Sequence, residues 1–358
     1  MSTNGDTLSR LFPWNPAGFN PIPGVVLFVV AVVLGGITIF TDLNLVVVIV
    51  GALLAWMTSV PGTLGNRVGG MAIYGVVGAV GILIATAIDD QLLFAVVMFA
   101  LAAACTLPMA VSSRGYLVGW SVIITFIQAV NMTGSEESWE SALKLVCGAG
   151  VVIVLTLLWP NGSGPWGRTS DDPPPESGAN DDKAFVGVYA LTVGGVLALG
   201  AYLGIEWFEF GVQMIAMSSF MVLGPTTKQD WVSAVGRAVG VVVGITLSFV
   251  LVNAIDSLDT LTIVWAVFPA IAISMIGVSL AFTLSAYTTQ MMMTIVLLGG
   301  DYDAFALDSN NRIIGEIIGI TIAVVASFFL QWWAQQRGVT SFAQPESNDA
   351  ELTGARST

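Results

Sequence analysis

The chain has 358 residues, of which 55% are hydrophobic and only 10% are charged. Soluble domains are about 25% charged and disordered chains are poor in hydrophobic residues, so this composition excludes both classes. The formal net charge of −13 also excludes nucleic acid as a partner, because its recognition needs basic surfaces.

Apolar runs follow one another along the chain, each close to the roughly 20 residues that cross a bilayer as a helix. The first half has six, at about 24–40, 43–60, 68–88, 91–111, 116–132 and 141–159. The second half has six more, at about 184–204, 207–223, 235–255, 260–280, 282–299 and 312–334. They lack the period-2 alternation of a β-barrel. We therefore predict an all-α integral membrane protein with about twelve transmembrane helices.

Polar stretches divide these runs into two membrane units. The predicted segments are an N-terminal tail (1–23), a six-helix unit (24–160), an acidic Pro/Gly linker (161–183), a second six-helix unit (184–334) and a disordered tail (335–358). The junction at 281–285 carries no basic residue, so it is either a turn between spans or part of a re-entrant hairpin.

The basic residues predict the orientation. With twelve crossings and a cytoplasmic N-terminus, nine of the 11 lysines and arginines fall on the cytoplasmic side, as the positive-inside rule requires. We expect a multi-pass protein of the cell membrane with both termini cytoplasmic. Apart from Glu209 at the edge of the run 207–223, Glu316 is the only acidic residue inside a predicted span. The remaining acids lie in water-facing segments, which indicates adaptation to very salty, halophilic surroundings.

The two halves look like copies of one unit. In each half a proline ends the second helix, and an arginine followed by a glycine opens the third. These residues are Pro61, Arg67 and Gly70 in the first half and Pro225, Arg237 and Gly240 in the second. Gly148 and Gly319 occupy similar places in the sixth and twelfth helices. Since each unit has an even number of spans, we predict two parallel six-helix repeats, an arrangement known in transporters.

The motif R-x-x-G-x-x-x-G, formed by Arg237, Gly240 and Gly244, resembles the fusaric-acid-resistance-like (FUSC) and aromatic acid exporter superfamily. Leu203–Trp207 and Arg312–Gly319 are similar to that family's second and final helices. The resemblance implies export of organic or aromatic acids. This chain departs from the family in lacking a large cytoplasmic domain between the halves, and its first copy of the motif has Tyr74 in place of the last glycine.

Arginines and one carboxylate are the charged candidates for a transport site. Arg67 and Arg237 could bind a substrate carboxylate by bidentate hydrogen bonds, or could anchor their helices at the interface. Arg312 and Glu316 are spaced i, i+4, which suits either proton coupling at Glu316 or a local ion pair. Lys144 is expected at the position of helix six that corresponds to Arg312.

Polar and aromatic residues near the middle of the spans are further candidates for substrate binding, as stacking surfaces or hydrogen-bonding groups. They are Tyr116, Tyr287, Gln290, Gln128 and Gln213. Hydrogen bonding between helices is the alternative role for each of them.

The chain has no histidine, and it contains no G-x-x-x-x-G-K phosphate loop or nucleophile elbow. We therefore expect no catalytic residue, cofactor or metal, and no enzyme. The leading hypothesis is a secondary, gradient-driven exporter of organic or aromatic anions in the lipid bilayer. A passive anion channel and a non-transporting scaffold subunit are the alternatives, and association as a homo-oligomer or with an accessory subunit stays open.

Overall fold

The structure is a computed structural model, and it is helical throughout the part of the chain that it describes. That part comprises residues 46–58, 63–109, 113–133, 137–158, 183–208, 212–223, 230–255, 257–275, 279–297 and 302–337, with scattered residues between 19 and 33. Its helices are α1 (Val46–Met57), α2 (Leu64–Thr86), α3 (Gln91–Met109), α4 (Ser113–Thr133), α5 (Ser138–Leu158), α6 (Lys183–Phe208), α7 (Val212–Val222), α8 (Asp230–Ala254), α9 (Leu258–Met275), α10 (Leu280–Leu297) and α11 (Tyr302–Arg337). These residues include no strand, which confirms the all-α prediction.

Apolar helices of two lengths make up this fold. Four stretches are long and apolar enough to cross a membrane: Leu64–Thr86, Ser138–Leu158, Ala184–Trp207 and Asn311–Arg337. Shorter apolar stretches lie in α1, α3, α4, α8 and α9. The chain is thus a helical membrane protein, while a total of twelve crossings stays a prediction.

The described helices coincide with the predicted runs from 43–60 onward but differ at several ends, and the predicted run 24–40 lies largely outside the described residues. Residues 281–285 lie inside α10, which begins at Leu280, so the predicted junction is wrong and these residues form neither a turn nor the bend of a hairpin. Helix α11 begins ten residues before the predicted start at 312, because residues 302–311 are polar and carry no hydropathy signal. The predicted linker and both predicted tails lie outside the described residues, except for a few at their edges.

Helix α11 is much longer than its apolar span. It has 36 residues, which at 1.5 Å per residue gives about 54 Å, against about 30 Å for the hydrocarbon core of a bilayer. Its apolar part begins after Arg312. The polar N-terminal turns of α11 therefore extend beyond the length that a bilayer accommodates, and Arg312 lies near the boundary.

Two glycines let helices pack backbone against backbone. Helix α5 lies on α1 at Gly148, where an added Cβ would collide with the Val48 carbonyl and come within 2.7 Å of the Ala52 nitrogen. Helix α11 lies on α7 at Gly319, where an added Cβ would be 2.5 Å from the Ile215 carbonyl oxygen. Small residues allow such close approach in membrane proteins.

The core contains residues from both halves of the chain. In α4 every residue from Ser121 to Ile127 is at most 2% exposed, so this helix is surrounded by protein on all sides. Helix α2, in contrast, exposes Val76 and Val80 on the outer surface, as expected of a face against lipid. Helix α3 packs on α6, with Phe99 beside Gly194, and this contact joins the two halves.

Candidate substrate and coupling site

Helix α11 carries a buried ion pair within the first two turns of its candidate membrane span, Asn311–Arg337. The i, i+4 spacing puts Arg312 and Glu316 on one face of the helix, and the Arg312 Nη2 to Glu316 Oε1 distance is 3.9 Å. Arg312 is 4% exposed and Glu316 is 3% exposed, so both charges face the protein interior. Two buried charges inside a candidate membrane span are the strongest electrostatic feature among the described residues.

The geometry of this pair is loose. A good arginine–carboxylate contact is bidentate at about 2.7–2.9 Å, whereas this one is a single contact at 3.9 Å. The attraction at that distance is about 4 kcal/mol at an effective dielectric constant of about 20, while burying each ion costs several kcal/mol. The Arg312 Nε atom is buried and has no hydrogen-bond partner among the described residues. Arg312 therefore has a spare donor for an anion.

Three other helices contact α11 near the pair. Gly319, one turn after Glu316 on α11, packs on Ser218 of α7, where an added Cβ would be 2.7 Å from the Ser218 Cβ. Ile313, next to Arg312, packs against a small cluster formed by α8 and α10. The site thus lies where α7, α8 and α10 meet α11.

A serine hydroxyl reinforces the contact between α7 and α11. Ser219 Oγ lies 2.8 Å from the Ile215 carbonyl oxygen and 3.0 Å from the Gly319 carbonyl oxygen, and it donates to these acceptors. Ser218 and Ser219 are fully buried. Sequence reasoning missed these two serines, although they are adjacent hydroxyls inside an apolar run.

Arg67 lies in the first turn of α2. Thr63 caps this helix and its side chain accepts a hydrogen bond from the Asn66 backbone nitrogen at 3.4 Å. Arg67 is only 4% exposed, whereas an arginine that merely anchors a helix extends to the lipid–water interface. This burial favours a role inside the protein. Arg237 lies within α8, but its side chain is outside the described residues.

The remaining predicted candidates are spread over three helices. Gln290 is 1% exposed in α10, and Tyr287 packs against the main core from the same helix. Tyr116 and Gln128 belong to α4 and Gln213 to α7, with side chains outside the described residues. Helix α10 contacts α11, and a single site made of all nine candidates remains a prediction.

The first half has no equivalent of the ion pair. Counting back from Gly148 as from Gly319, the positions seven and three residues earlier hold Ser141 and Leu145, both fully buried. In this register Lys144 does not correspond to the arginine of the pair, contrary to the expectation from sequence. The first half therefore lacks both charges of the pair.

A second buried polar cluster lies between α2 and α4, which sequence reasoning missed. The Tyr74 hydroxyl and Thr125 Oγ1 are 2.9 Å apart and fully buried. Ser121 Oγ, one turn earlier on α4, is buried without a hydrogen-bond partner in the described part of the chain. The only sequence signal was Tyr74 itself, which stands where the second half has a glycine.

Part of the second half of the chain matches a known protein family. Residues 195–326 match the family described as fusaric acid resistance protein-like. This segment, 132 of the 358 residues, is similar to that family. No curated protein and no solved structure matches the chain.

The matched segment runs from α6 into α11 and contains the buried ion pair. It also contains Arg237, Gly240 and Gly244, so the resemblance seen in this motif is confirmed. The matched range does not include α1 to α5. Members of this family are membrane transport proteins, which indicates a transport role for the chain.

Proposed function

We propose that the protein is a secondary exporter of organic or aromatic acids in the cell membrane, driven by an ion gradient. One observation carries this proposal: a buried, loosely paired Arg312–Glu316 couple lies inside the segment that matches the fusaric acid resistance protein-like family. Ionisable groups inside membrane spans are costly and mark transport pathways. The absence of a phosphate-loop motif from the sequence favours a gradient over ATP as the energy source.

In the proposed mechanism, Glu316 and the substrate compete for Arg312. When Glu316 takes up a proton it becomes neutral, and Arg312 can then bind the substrate carboxylate with its Nε and Nη donors. When Glu316 loses the proton, its carboxylate competes again for the guanidinium and the substrate leaves. Because the attraction in this pair does not exceed the cost of burying its two charges, one proton or one anion is enough to change the pairing.

The proposed architecture is twelve spans in two parallel repeats with both termini in the cytoplasm. Matching helix contacts in the two halves support this architecture. Helix α1 packs on α5 at a glycine, and α7 packs on α11 in the same way. Likewise, α2 packs on α4 in the first half and α8 packs on α10 in the second. Helices α1 and α7 hold corresponding places in the two halves.

The test is transport of benzoate, the simplest aromatic acid, by proteoliposomes under an imposed proton gradient. The wild-type protein should accumulate benzoate against its gradient. Glu316→Gln should abolish this uphill transport, because the glutamine amide cannot take up and release a proton as the Glu316 carboxylate does. Glu206→Gln, which changes an exposed carboxylate at the end of α6, serves as the control and should transport like the wild type.

Three results would contradict the proposal. Uphill transport that survives Glu316→Gln would remove this residue from the coupling step. A benzoate current that only follows the electrochemical gradient would identify a passive channel. No flux of benzoate or of any other anion would favour a scaffold.

A further inference from the structure

Ser248 of α8 is a fully buried polar residue that the proposed mechanism does not use. It lies in a stripe with Val241, Ile245 and Val252, at successive spacings of four, three and four residues, which puts all four side chains on one face of the helix. The three apolar members of this stripe belong to the small cluster that also includes Ile313 of α11. Ser248 is therefore the polar member of the face that α8 turns toward α11.

The repeat gives the counterpart of Ser248 in the first half of the chain. Ser248 lies eleven residues after Arg237, and Gly78 lies eleven residues after Arg67. Since these two arginines hold corresponding places in the two halves, Gly78 of α2 corresponds to Ser248 of α8.

Gly78 touches the residue that corresponds to Glu316. Leu145 of α5 is the counterpart of Glu316, since each lies three residues before the glycine at which its helix packs on α1 or α7. An added Cβ at Gly78 would be 3.0 Å from Leu145 Cδ2. Helices α2 and α5 pack together, as α8 and α11 do. The repeat therefore puts Ser248 opposite Glu316 across the α8–α11 interface.

Both members of this contact differ in polarity between the two halves. Gly78 and Leu145 bring no polar side chain to it, whereas Ser248 and Glu316 bring a hydroxyl and a carboxyl group. Ser248 is 0% exposed and Glu316 is 3% exposed, so neither depends on bulk water for hydrogen bonding. A buried carboxyl group is stabilised by hydrogen-bonding side chains around it. A serine at this position of α8 supplies one.

The Ser248 hydroxyl is oriented as an acceptor toward its surroundings. Its Oγ donates to the Ile245 carbonyl oxygen at 2.7 Å, which uses its only hydrogen. Its lone pairs accept no hydrogen bond from the residues that the structure describes. A protonated carboxyl group can donate to such an oxygen, whereas an ionised carboxylate cannot. This orientation of Ser248 thus suits the neutral form of Glu316.

We propose that Ser248 is a positioning residue for Glu316, and that its hydroxyl accepts a hydrogen bond from the carboxyl group when Glu316 takes up its proton. This bond holds the neutral side chain on α8, so the Arg312 guanidinium is left for the substrate carboxylate. When Glu316 releases the proton it has no hydrogen to donate to Ser248, and the carboxylate returns to Arg312. The part in transport rests on the proposed function, whereas the contact itself rests on the repeat and on burial.

The test is the C=O band of the protonated Glu316 carboxyl group in infrared difference spectra of the purified full-length chain, recorded in detergent between acidic and alkaline buffer. Glu316→Gln identifies the band by removing it. Ser248→Ala should move the band to higher wavenumber, because the carboxyl group loses a hydrogen-bond partner. It should also lower the initial rate of proton-driven benzoate uptake by proteoliposomes roughly fivefold, as expected for one hydrogen bond. Ser248→Thr keeps a hydroxyl and should retain both the band position and the rate.

Thr246→Val is the matched control on the same helix. Thr246 Oγ1 donates to the Val242 carbonyl oxygen at 2.8 Å, and this residue is exposed on the outer face of α8. The substitution therefore deletes the same kind of hydrogen bond away from α11. It should leave the carboxyl band and the uptake rate unchanged.

A carboxyl band that stays in place in Ser248→Ala, or that shifts equally in Thr246→Val, would overturn this proposal. So would the absence of any band that Glu316→Gln removes. If that band depends on Ser248 but uphill transport survives Glu316→Gln, the coupling mechanism is rejected and the Ser248–Glu316 contact is kept. The two proposals can therefore fail separately.

Discussion

At the scale of single residues, the chemistry of the candidate site depends on burial rather than on residue type. The i, i+4 spacing of Arg312 and Glu316 can be read from the sequence, and an exposed pair with that spacing is worth less than about 1 kcal/mol. The structure buries both side chains and leaves a donor of Arg312 unmet. Because this burial excludes water, we propose that one proton or one anion can change the pairing of these two residues.

A single methyl group at Gly319 should weaken the packing of α11 on α7. Gly319→Ala places a Cβ 2.5 Å from the Ile215 carbonyl oxygen, so the helices must separate, at a cost of about 1–3 kcal/mol. Gly195→Ala is the control, because an added Cβ there meets no atom within 4 Å. The substitution Gly195→Ala should leave the free energy of unfolding unchanged or raise it by up to about 1 kcal/mol, since alanine is a better helix former than glycine.

Thermal unfolding in detergent, followed by tryptophan fluorescence, measures both variants. The transition of Gly319→Ala should fall below that of the wild type while that of Gly195→Ala does not. Equal transition temperatures for the two variants would show that the close contact between α7 and α11 contributes nothing to stability.

At the scale of helices, the hydropathy pattern predicted where the helices lie. It did not predict where each helix ends or which helices pack together. The polar residues 302–311 extend α11, since helical hydrogen bonding continues where apolar character stops. The apolar run through 281–285 gave no sign that α10 begins at Leu280. Helix α4 is buried on all sides whereas α2 has an exposed apolar face, yet both consist largely of apolar residues. In a bilayer the outer surface is apolar too, so composition cannot separate core from lipid.

Tyr74 shows that the sequence pattern also does not predict contacts between helices. The sequence shows it only as a missing glycine in the first copy of the motif. Its contact with Thr125 depends on a residue 51 positions away, which no local pattern relates to it. The contact between Tyr74 of α2 and Thr125 of α4 therefore appears only after the helices are packed.

At the scale of the whole molecule, the two halves are held together by side-chain packing. Helix α3 contacts α6, and α4 contacts α7. We expect residues 1–172 and 173–358, coexpressed as separate chains cut within the predicted linker, to purify together and to retain benzoate transport. Gly194→Leu should prevent this assembly, because its Cβ would lie 3.0 Å from the Phe99 carbonyl oxygen of the other chain.

Affinity purification of one tagged half, followed by detection of the other half, shows whether the two halves assemble. Gly187→Leu is the control, because the Cβ position at this glycine of α6 has open space around it. Halves that purify separately without any substitution would show that the covalent linker, rather than the α3–α6 contact, holds the molecule together.

The acidic surface predicts dependence on salt. Asp89, Asp90 and Glu206 are exposed at helix ends, and the net charge is −13. Repulsion among such charges is screened within about 3 Å at 1 M salt but extends to about 30 Å at 0.01 M. The unfolding temperature in detergent should therefore fall as KCl is diluted over this range, and sucrose of equal osmolality should not restore it. An unfolding temperature independent of salt would contradict adaptation to high salinity.

The sequence by itself determined that this is a helical membrane protein, roughly where its described helices lie, and its family resemblance, because hydropathy and short glycine–arginine motifs are local properties. It also identified Arg312 and Glu316 as a pair. Only the tertiary structure decided that this pair and Arg67 are buried, that Ser121 lacks a partner and that Gly319 touches α7. Those facts depend on distant segments meeting, and in a membrane protein the hydrophobic pattern does not specify which apolar face meets protein and which meets lipid.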